Sequence, residues 1–181
     1  ALRARVPLRP MKLSDRITHL LPGGDDGWGL FLKARRMKAQ GLPIVELTIG
    51  EHDIGTDPSI LSAMDASARG GHTGYAAVPG TEGLRAAIAE RAERMTGVPT
   101  RAANVLVTPG GQAALFAAHI AALDAGDRAA FIDPYYATYP GTIRGAGGVP
   151  VPILTHAADG FLPTEAALAE GLAGAASLLI N

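Results

Sequence analysis

Residues 105–123 are VLVTPGGQAALFAAHIAAL, in which two glycines join a short apolar segment to an alanine-rich helical pattern. The aliphatic run at its start favours a strand, and the residues after Gly111 favour a helix. Glycines at this junction let an anion approach the first N–H groups of the helix, which carry a partial positive charge. The stretch therefore predicts a strand, a turn and a helix, with Gly110, Gly111 and Gln112 as a candidate phosphate site. An ordinary strand-to-helix turn fits the same residues.

Two common nucleotide-binding motifs are absent from the sequence. No Gly-x-x-x-x-Gly-Lys-Ser/Thr loop occurs, and no Gly-x-Gly-x-x-Gly follows a predicted strand. The GAGG at 145–148 precedes a predicted strand, which is the wrong position for dinucleotide binding. With these two motifs absent, the sequence favours a mononucleotide or a phosphorylated cofactor as the ligand of the turn.

Strand and helix patterns alternate along the chain. Strand patterns occur at 43–50, 104–109, 128–134, 149–154 and 176–181, and helix patterns at 25–41, 57–71, 81–97, 111–126, 136–147 and 164–174. In the 81–97 helix, Leu84, Ile88, Ala92 and Met95 share the face that we expect to be buried. Because the strands are largely apolar and alternate with helices, the sequence predicts an α/β fold. It is a mostly parallel sheet with helices on both faces, preceded by an N-terminal arm and helix.

Composition argues against several classes of function. The 181 residues are 48% hydrophobic with a net charge of −1, which provides a core and argues against binding to nucleic acid or to an anionic membrane. The absence of cysteine excludes disulfides and thiolate sites, and the five histidines lack metal-ligand spacing. No signal-peptide pattern and no apolar run of about 18 residues is present. We therefore expect a cytoplasmic protein with neither a metal site nor a membrane span.

Five segments, taken in order and with their spacing, resemble class I aminotransferases, the fold-type-I enzymes that use pyridoxal 5'-phosphate. The segments are LTIGEHDIGTDPSIL (47–61), GHTGYAAVPGTEGLRAAIAER (71–91), VLVTPGGQAALFAA (105–118), LDAGDRAAFIDPYYATYPGTIRGAGGVPVPI (123–153) and SLLIN (177–181). No single segment is decisive, but five in register are specific. The chain is identified from them as a member of that family, with pyridoxal phosphate as the implied cofactor.

The resemblance implies roles for individual residues. Gly50, in IGEHD, matches a glycine whose N–H meets the substrate α-carboxylate, and the 110–112 turn matches the cradle of the cofactor phosphate. Tyr136, in DPYYATY, matches an aromatic residue that stacks on the pyridine ring. Tyr75, in TGYAAVPG, matches a tyrosine that crosses a dimer interface to the phosphate bound by the other subunit. The implied working unit is therefore a homodimer with a shared active site.

Plainer interpretations of two of these residues fit the sequence equally. Gly50 fits the end of a strand, and Tyr75 fits a tyrosine packed in a turn beside Pro79 and Gly80. The family usually has proline where this chain has His52, which puts the identity of the substrate in question.

The resemblance also implies a domain organisation. Residues 1–45 correspond to the N-terminal arm and helix, part of the small domain, and residues 46–181 to the front part of the large domain that binds the cofactor. The three lysines of the chain all precede residue 39, so none matches the family's Schiff-base lysine. We therefore expect a truncated part of a longer protein, with no catalytic residue in this segment and the lysine downstream of Asn181.

The implied activity is transfer of an amino group from an amino acid to a 2-oxo acid. A carbon–sulfur lyase or a decarboxylase of the same fold fits these residues as well, because the reaction depends on groups outside this segment. Aminotransferase-like domains also occur in transcription regulators, but no helix-turn-helix pattern precedes the first helix. A stable domain without the cofactor lysine follows if the protein ends at Asn181.

Overall fold

The structure, a computed structural model, describes residues 11–23, 27–173 and 176–180. They fall into two compact units. The helical unit is Lys33–Ala114, and the sheet unit consists of the described residues of Ala1–Leu32 and Leu115–Asn181.

The order of elements follows the predicted alternation in the second half of the chain. In the described ranges the helices are α1 Asp15–Thr18, α2 Trp28–Ala39, α3 Pro58–Arg69, α4 Glu82–Thr96, α5 Gly111–Ala122, α6 Tyr139–Gly145 and α7 Glu165–Leu172. The strands are β1 Arg128–Asp133, β2 Val149–Leu154 and β3 Ala176–Ile180, and short 3-10 turns lie at Ala102–Asn104 and Ala157–Asp159. None of the described helices has the length and apolar character that crossing a membrane requires.

The sheet unit is built on a parallel sheet with strand order β2-β1-β3. Side chains alternate along a strand, so Phe131 and Ile132 point to opposite faces of β1. Phe131 packs with Ile143 of α6. Ile153, which is paired with Ile132, packs against Gly171 of α7 on the other face. Helices therefore cover both faces of the sheet, and the predicted fold class is confirmed.

The core of the sheet unit lies between β1, α6 and the end of α5. Its buried members are Leu123, Ala129, Phe131, Ile143, Ala146 and Ile180. Burial of side chains as large as Phe131 and Ile143 stabilises the fold by about 1.5–3 kcal/mol each. The turn before β2 packs closely, because a Cβ at Gly148 would lie 3.0 Å from Leu123 Cδ1.

The helical unit carries helix ends of the predicted chemistry. The Asp57 carboxylate accepts a hydrogen bond from the Ser59 N–H at 2.8 Å and caps α3, with Pro58 as the first helical residue. Hydrogen bonds from the Ser59 side chain and backbone hold the pKa of Asp57 below its usual value. Helix α4 ends at Gly97, whose φ of +71° is the left-handed conformation that glycine favours.

The predicted buried face of α4 is wrong within this unit for three of its four residues, Leu84, Ile88 and Met95, which are exposed. Leu84 is 48% exposed and Met95 is also exposed, whereas Ala89 is only 3% exposed. The buried face instead runs through Arg85, Ala89 and Ala92, so Ala92 is the one predicted residue that lies on it. Periodicity locates an apolar stripe, but it does not say which neighbouring segment covers the helix.

Two predicted strands are also wrong as strands. Residues 43–50 and 104–109 run as irregular chain, apart from the end of the 3-10 turn at Asn104. A strand needs a neighbour that completes its ladder of hydrogen bonds. Within the described ranges neither segment pairs with a strand, so their β-branched residues alone do not make them part of the sheet.

Some sequence expectations are left untested by the fold. Residues 1–10 of the predicted arm and Asn181 lie outside the described residues. The domain boundary predicted at residue 45 stays a prediction.

Candidate functional site

The glycine turn that precedes α5 has a defined geometry. Gly110 adopts a φ of +86°, which favours glycine, and its N–H donates to the Thr108 carbonyl at 2.8 Å. The Thr108 hydroxyl donates back to the Gly110 carbonyl at 3.0 Å. The Ala114 N–H donates to the same carbonyl at 3.3 Å and closes the first turn of α5. The turn is therefore held by its own hydrogen bonds, and the helix begins immediately after it.

Space at this turn suits a bound phosphate. A Cβ built at Gly110 or at Gly111 would meet no atom within 4 Å, and Gly110, Gly111 and Gln112 are all exposed. The first N–H groups of an α-helix have no partner within the helix and carry its positive end. An anion can reach these donors without displacing a side chain. These residues therefore fit the phosphate of the implied cofactor, although their role as its ligands stays a prediction.

The segment that leads into the turn is joined to the TGYAAVPG loop. The Val107 N–H donates to the Pro79 carbonyl at 3.0 Å. Gly80 follows with a φ of +101°, and a Cβ there would lie 2.7 Å from Val107 Cγ2. The loop that carries Tyr75 is thus packed against the residues just before the phosphate turn.

Tyr75 extends from this loop into solvent. Its side chain is fully exposed, and neighbouring Val78 is 94% exposed. Helix α3 has no buried residue and also exposes apolar side chains, including Ile60, Leu61 and Met64. Exposure of this kind disagrees with a tyrosine packed in its own turn, which was the plainer interpretation, and agrees with a side chain that serves another surface.

Gly50 lies in an exposed loop whose approach is anchored. Four residues earlier, the Glu46 carboxylate accepts hydrogen bonds from Arg35 Nε at 2.9 Å and from the Thr48 hydroxyl at 3.1 Å. The side chain of Glu46 is only 11% exposed, whereas that of Arg35 is half exposed, so the carboxylate is the shielded partner of this pair. After Gly50 the loop is open, with His52 and Asp53 exposed. Its assignment to the substrate carboxylate stays a prediction.

Tyr136 stands just beyond the carboxyl end of β1, the edge where ligands bind in parallel sheets. Its ring is 63% exposed and packs edge-on against Tyr139, with centroids 6.0 Å apart. Tyr139 in turn contacts the core through Phe131, and Tyr135 also packs on Phe131 at 4.7 Å. Tyr136 therefore keeps most of its side chain exposed on a firm support, as a stacking role requires.

The predicted site residues belong to different units. Gly50, Tyr75 and the 110–112 turn lie in the helical unit, and Tyr136 lies in the sheet unit. One residue of the helical unit escaped the sequence reasoning. Arg85 donates from Nε to the Val105 carbonyl at 3.0 Å and from Nη2 to the Ala102 carbonyl at 2.6 Å. In the sequence, the one sign of this role is that Arg85 lies four residues before Ala89, on the same helix face. A charged residue on an amphipathic helix is usually solvated, so the sequence alone does not indicate the role.

Comparisons with known proteins found a matching family and similar relatives. The family model described as aminotransferase class I and II matches residues 43–180. A probable aspartate/prephenate aminotransferase of Thermus aquaticus is 35% identical over 151 residues, which are 83% of this chain and 39% of that protein. An aspartate/prephenate aminotransferase of Thermus thermophilus is 38% identical over 72% of this chain and 34% of its own length.

A solved structure is similar over nearly the whole chain. It is the aspartate aminotransferase from Thermus thermophilus with maleate, with a TM-score of 0.88 and 32% identity. The match covers 95% of this chain and 44% of that one. The chain thus spans less than half the length of these relatives.

Proposed function

Because the chain belongs to the class I and II aminotransferase family, we propose that its protein moves an amino group from an amino acid to a 2-oxo acid with pyridoxal 5'-phosphate. When bound, pyridoxal phosphate supplies the carbonyl and the electron-withdrawing ring that this chemistry needs. The observation that carries the proposal is the family match over residues 43–180, since it includes the open glycine turn at the start of α5.

Each candidate residue has a separate task in this proposal. Gly110, Gly111 and Gln112 bind the phosphate through the positive end of α5. Tyr136 covers one face of the ring and excludes water from it. The Gly50 N–H holds the substrate α-carboxylate. The Schiff-base lysine, which moves the proton, is proposed to lie beyond residue 181.

A homodimer completes the proposed site. Tyr75 is fully exposed, and the preceding helix α3 exposes the apolar side chains of Ile60, Leu61 and Met64, which supports an interaction surface in this part of the helical unit. In a symmetric dimer each Tyr75 would reach the phosphate bound by its partner. Residues 1–45 are proposed as part of the small domain and 46–181 as the front part of the large domain. The cytoplasmic location stays a prediction.

The donor that we propose first is aspartate, since it is named in the relatives at 35% and 38% identity. The test uses the natural protein that contains these 181 residues, with L-aspartate as donor and 2-oxoglutarate as acceptor. We expect oxaloacetate to form in proportion to glutamate, and only when both substrates and the cofactor are present. Release of a 2-oxo acid without an acceptor would instead indicate a lyase, and absence of turnover with aspartate, aromatic and branched-chain donors alike, despite bound cofactor, would indicate a non-catalytic domain.

A further inference from the structure

The charged guanidinium of Arg85, on α4, donates hydrogen bonds to the main chain of another segment. Its guanidinium reaches the carbonyls of Val105 and Ala102 at 3.0 Å and 2.6 Å, across the 17 to 20 residues that separate them in sequence. Within the described part of the chain, no carboxylate lies at ion-pair distance from it. Arg94 on the same helix differs, because it pairs with Glu90 at the surface.

The segment held by Arg85 leads directly to the phosphate turn. After Val105, the Val107 N–H is bonded to Pro79, and Thr108 is bonded to Gly110 in both directions. No strand pairs with residues 104–109 in the ranges that the structure describes. This segment is therefore held in the helical unit by the hydrogen bonds that it accepts from Arg85 and by the one that it donates to the Pro79 carbonyl.

We infer that Arg85 is a positioning residue for the phosphate turn: by holding Ala102 and Val105 it sets where the Gly110–Gly111 turn places the first N–H groups of α5. The inference rests on the proposed function. A planar guanidinium has five donors in a fixed fork, so it can hold two carbonyls at once in one geometry. A lysine keeps the charge but carries all its donors on one nitrogen, so it does not reproduce the separate positions of Nε and Nη2.

The test compares two ligands that differ by the phosphate alone, pyridoxal 5'-phosphate and pyridoxal. Equilibrium dialysis at 25 °C would measure their affinities for the full-length protein and for Arg85→Lys. We expect Arg85→Lys to weaken pyridoxal phosphate at least about fivefold and pyridoxal less than about twofold. Arg94→Lys is the matched control, with the same change on the same helix, and should leave both affinities unchanged.

A second readout reports on the turn without a ligand. Amide hydrogen exchange at residues 110–113 should become faster in Arg85→Lys and not in Arg94→Lys. If Arg85→Lys does not fold, Asn104→Ala takes its place. The Asn104 side chain accepts from the Arg101 N–H at 3.1 Å and holds the same 3-10 turn from an exposed position. We expect the same selective loss of phosphate-dependent affinity, but a smaller one.

Two results would overturn the inference while leaving the proposed function intact. One is a wild-type protein that binds pyridoxal phosphate with an affinity that Arg85→Lys does not change. The other is an equal loss for pyridoxal and for pyridoxal phosphate, which would show that Arg85 is merely structural. A wild-type protein that binds neither ligand would overturn the proposed function and this inference with it.

Discussion

Gly80 lies against Val107 so closely that a Cβ at position 80 would stand 2.7 Å from Val107 Cγ2 and 2.9 Å from its Cβ. The same glycine has a φ of +101°, a backbone conformation that residues with a side chain rarely adopt. Space and backbone conformation thus both require glycine where the TGYAAVPG loop meets the segment before the phosphate turn.

Gly80→Ala should therefore lower the free energy of unfolding by about 1–3 kcal/mol. Urea denaturation followed by circular dichroism measures this loss. Gly83→Ala is the control, since a Cβ there meets nothing within 4 Å and alanine favours the helix by up to about 1 kcal/mol. Equal stability of the two variants would contradict the tight contact with Val107.

His119 on α5 predicts a pH dependence of stability. It is completely buried, and neither ring nitrogen has a hydrogen-bond partner in the described structure. Burial lowers the pKa of His119, and a weak interaction with the Thr142 backbone, short of a well-formed hydrogen bond, opposes the shift in part. In the unfolded chain His119 therefore binds a proton at about pH 6.5, whereas in the folded protein it is protonated only at lower pH. Stability should be flat above about pH 6.5 and fall as the pH drops below it.

His119→Phe should remove this contribution and raise the free energy of unfolding by about 1 kcal/mol, because two unsatisfied nitrogens leave the core. Denaturation midpoints between pH 5 and pH 8 check both statements. His72→Gln, a change at an exposed histidine, should leave the fall at low pH in place. If His119→Phe also kept the full dependence, another group would be responsible for it.

Strand β2 forms one edge of the described sheet, and its prolines protect that edge. The N–H groups of Val149 and Thr155 donate to the carbonyls of Asp127 and Asp133 on the β1 side. By alternation, positions 150 and 152 face away from β1, and both are proline, which has no N–H to offer. Another strand therefore cannot complete a ladder on this edge.

Replacing Pro150 and Pro152 by valine together should make the protein self-associate. Light scattering and gel filtration would detect the larger species as protein concentration rises. Val149→Thr and Val151→Thr together serve as the control, because these positions donate towards β1 and leave the free edge unchanged. A double valine variant that behaves as the wild type would show that the edge is protected in another way.

Local chemistry is the part of this molecule that sequence predicts well. The start of α3 at Asp57 and Pro58 and the end of α4 at Gly97 each depend on one or two residues, so the sequence predicts them. The alternation of apolar strands with helices is enough to predict the parallel sheet. The buried face of α4 and the predicted strand at 104–109 failed for a common reason. Both depend on which distant segment lies alongside, and neither Ala89 nor Val105 carries that information.

The site shows the same division. The glycine turn at 110–112 is visible in sequence because its chemistry is local, whereas Arg85 is recognised only once the carbonyls of Ala102 and Val105 are seen beside it. The residues around Arg85 in the sequence are typical of an ordinary solvated helix face. Residues that position others through the main chain leave no pattern of their own in a single sequence.

Tyr75 gives the sharpest test of the shared active site. Its side chain is fully exposed, so Tyr75→Phe should leave the melting temperature of the subunit unchanged. If its hydroxyl donates to the partner's phosphate, the same change should weaken pyridoxal phosphate by about tenfold, the usual cost of a hydrogen bond to a charged group. Tyr136→Phe is the matched control, because stacking needs the ring and not the hydroxyl, and its affinity should stay within about twofold. Equal affinities for the two variants and the wild type would remove Tyr75 from the phosphate site, and the proposed dimer would lose the residue that makes its active site shared.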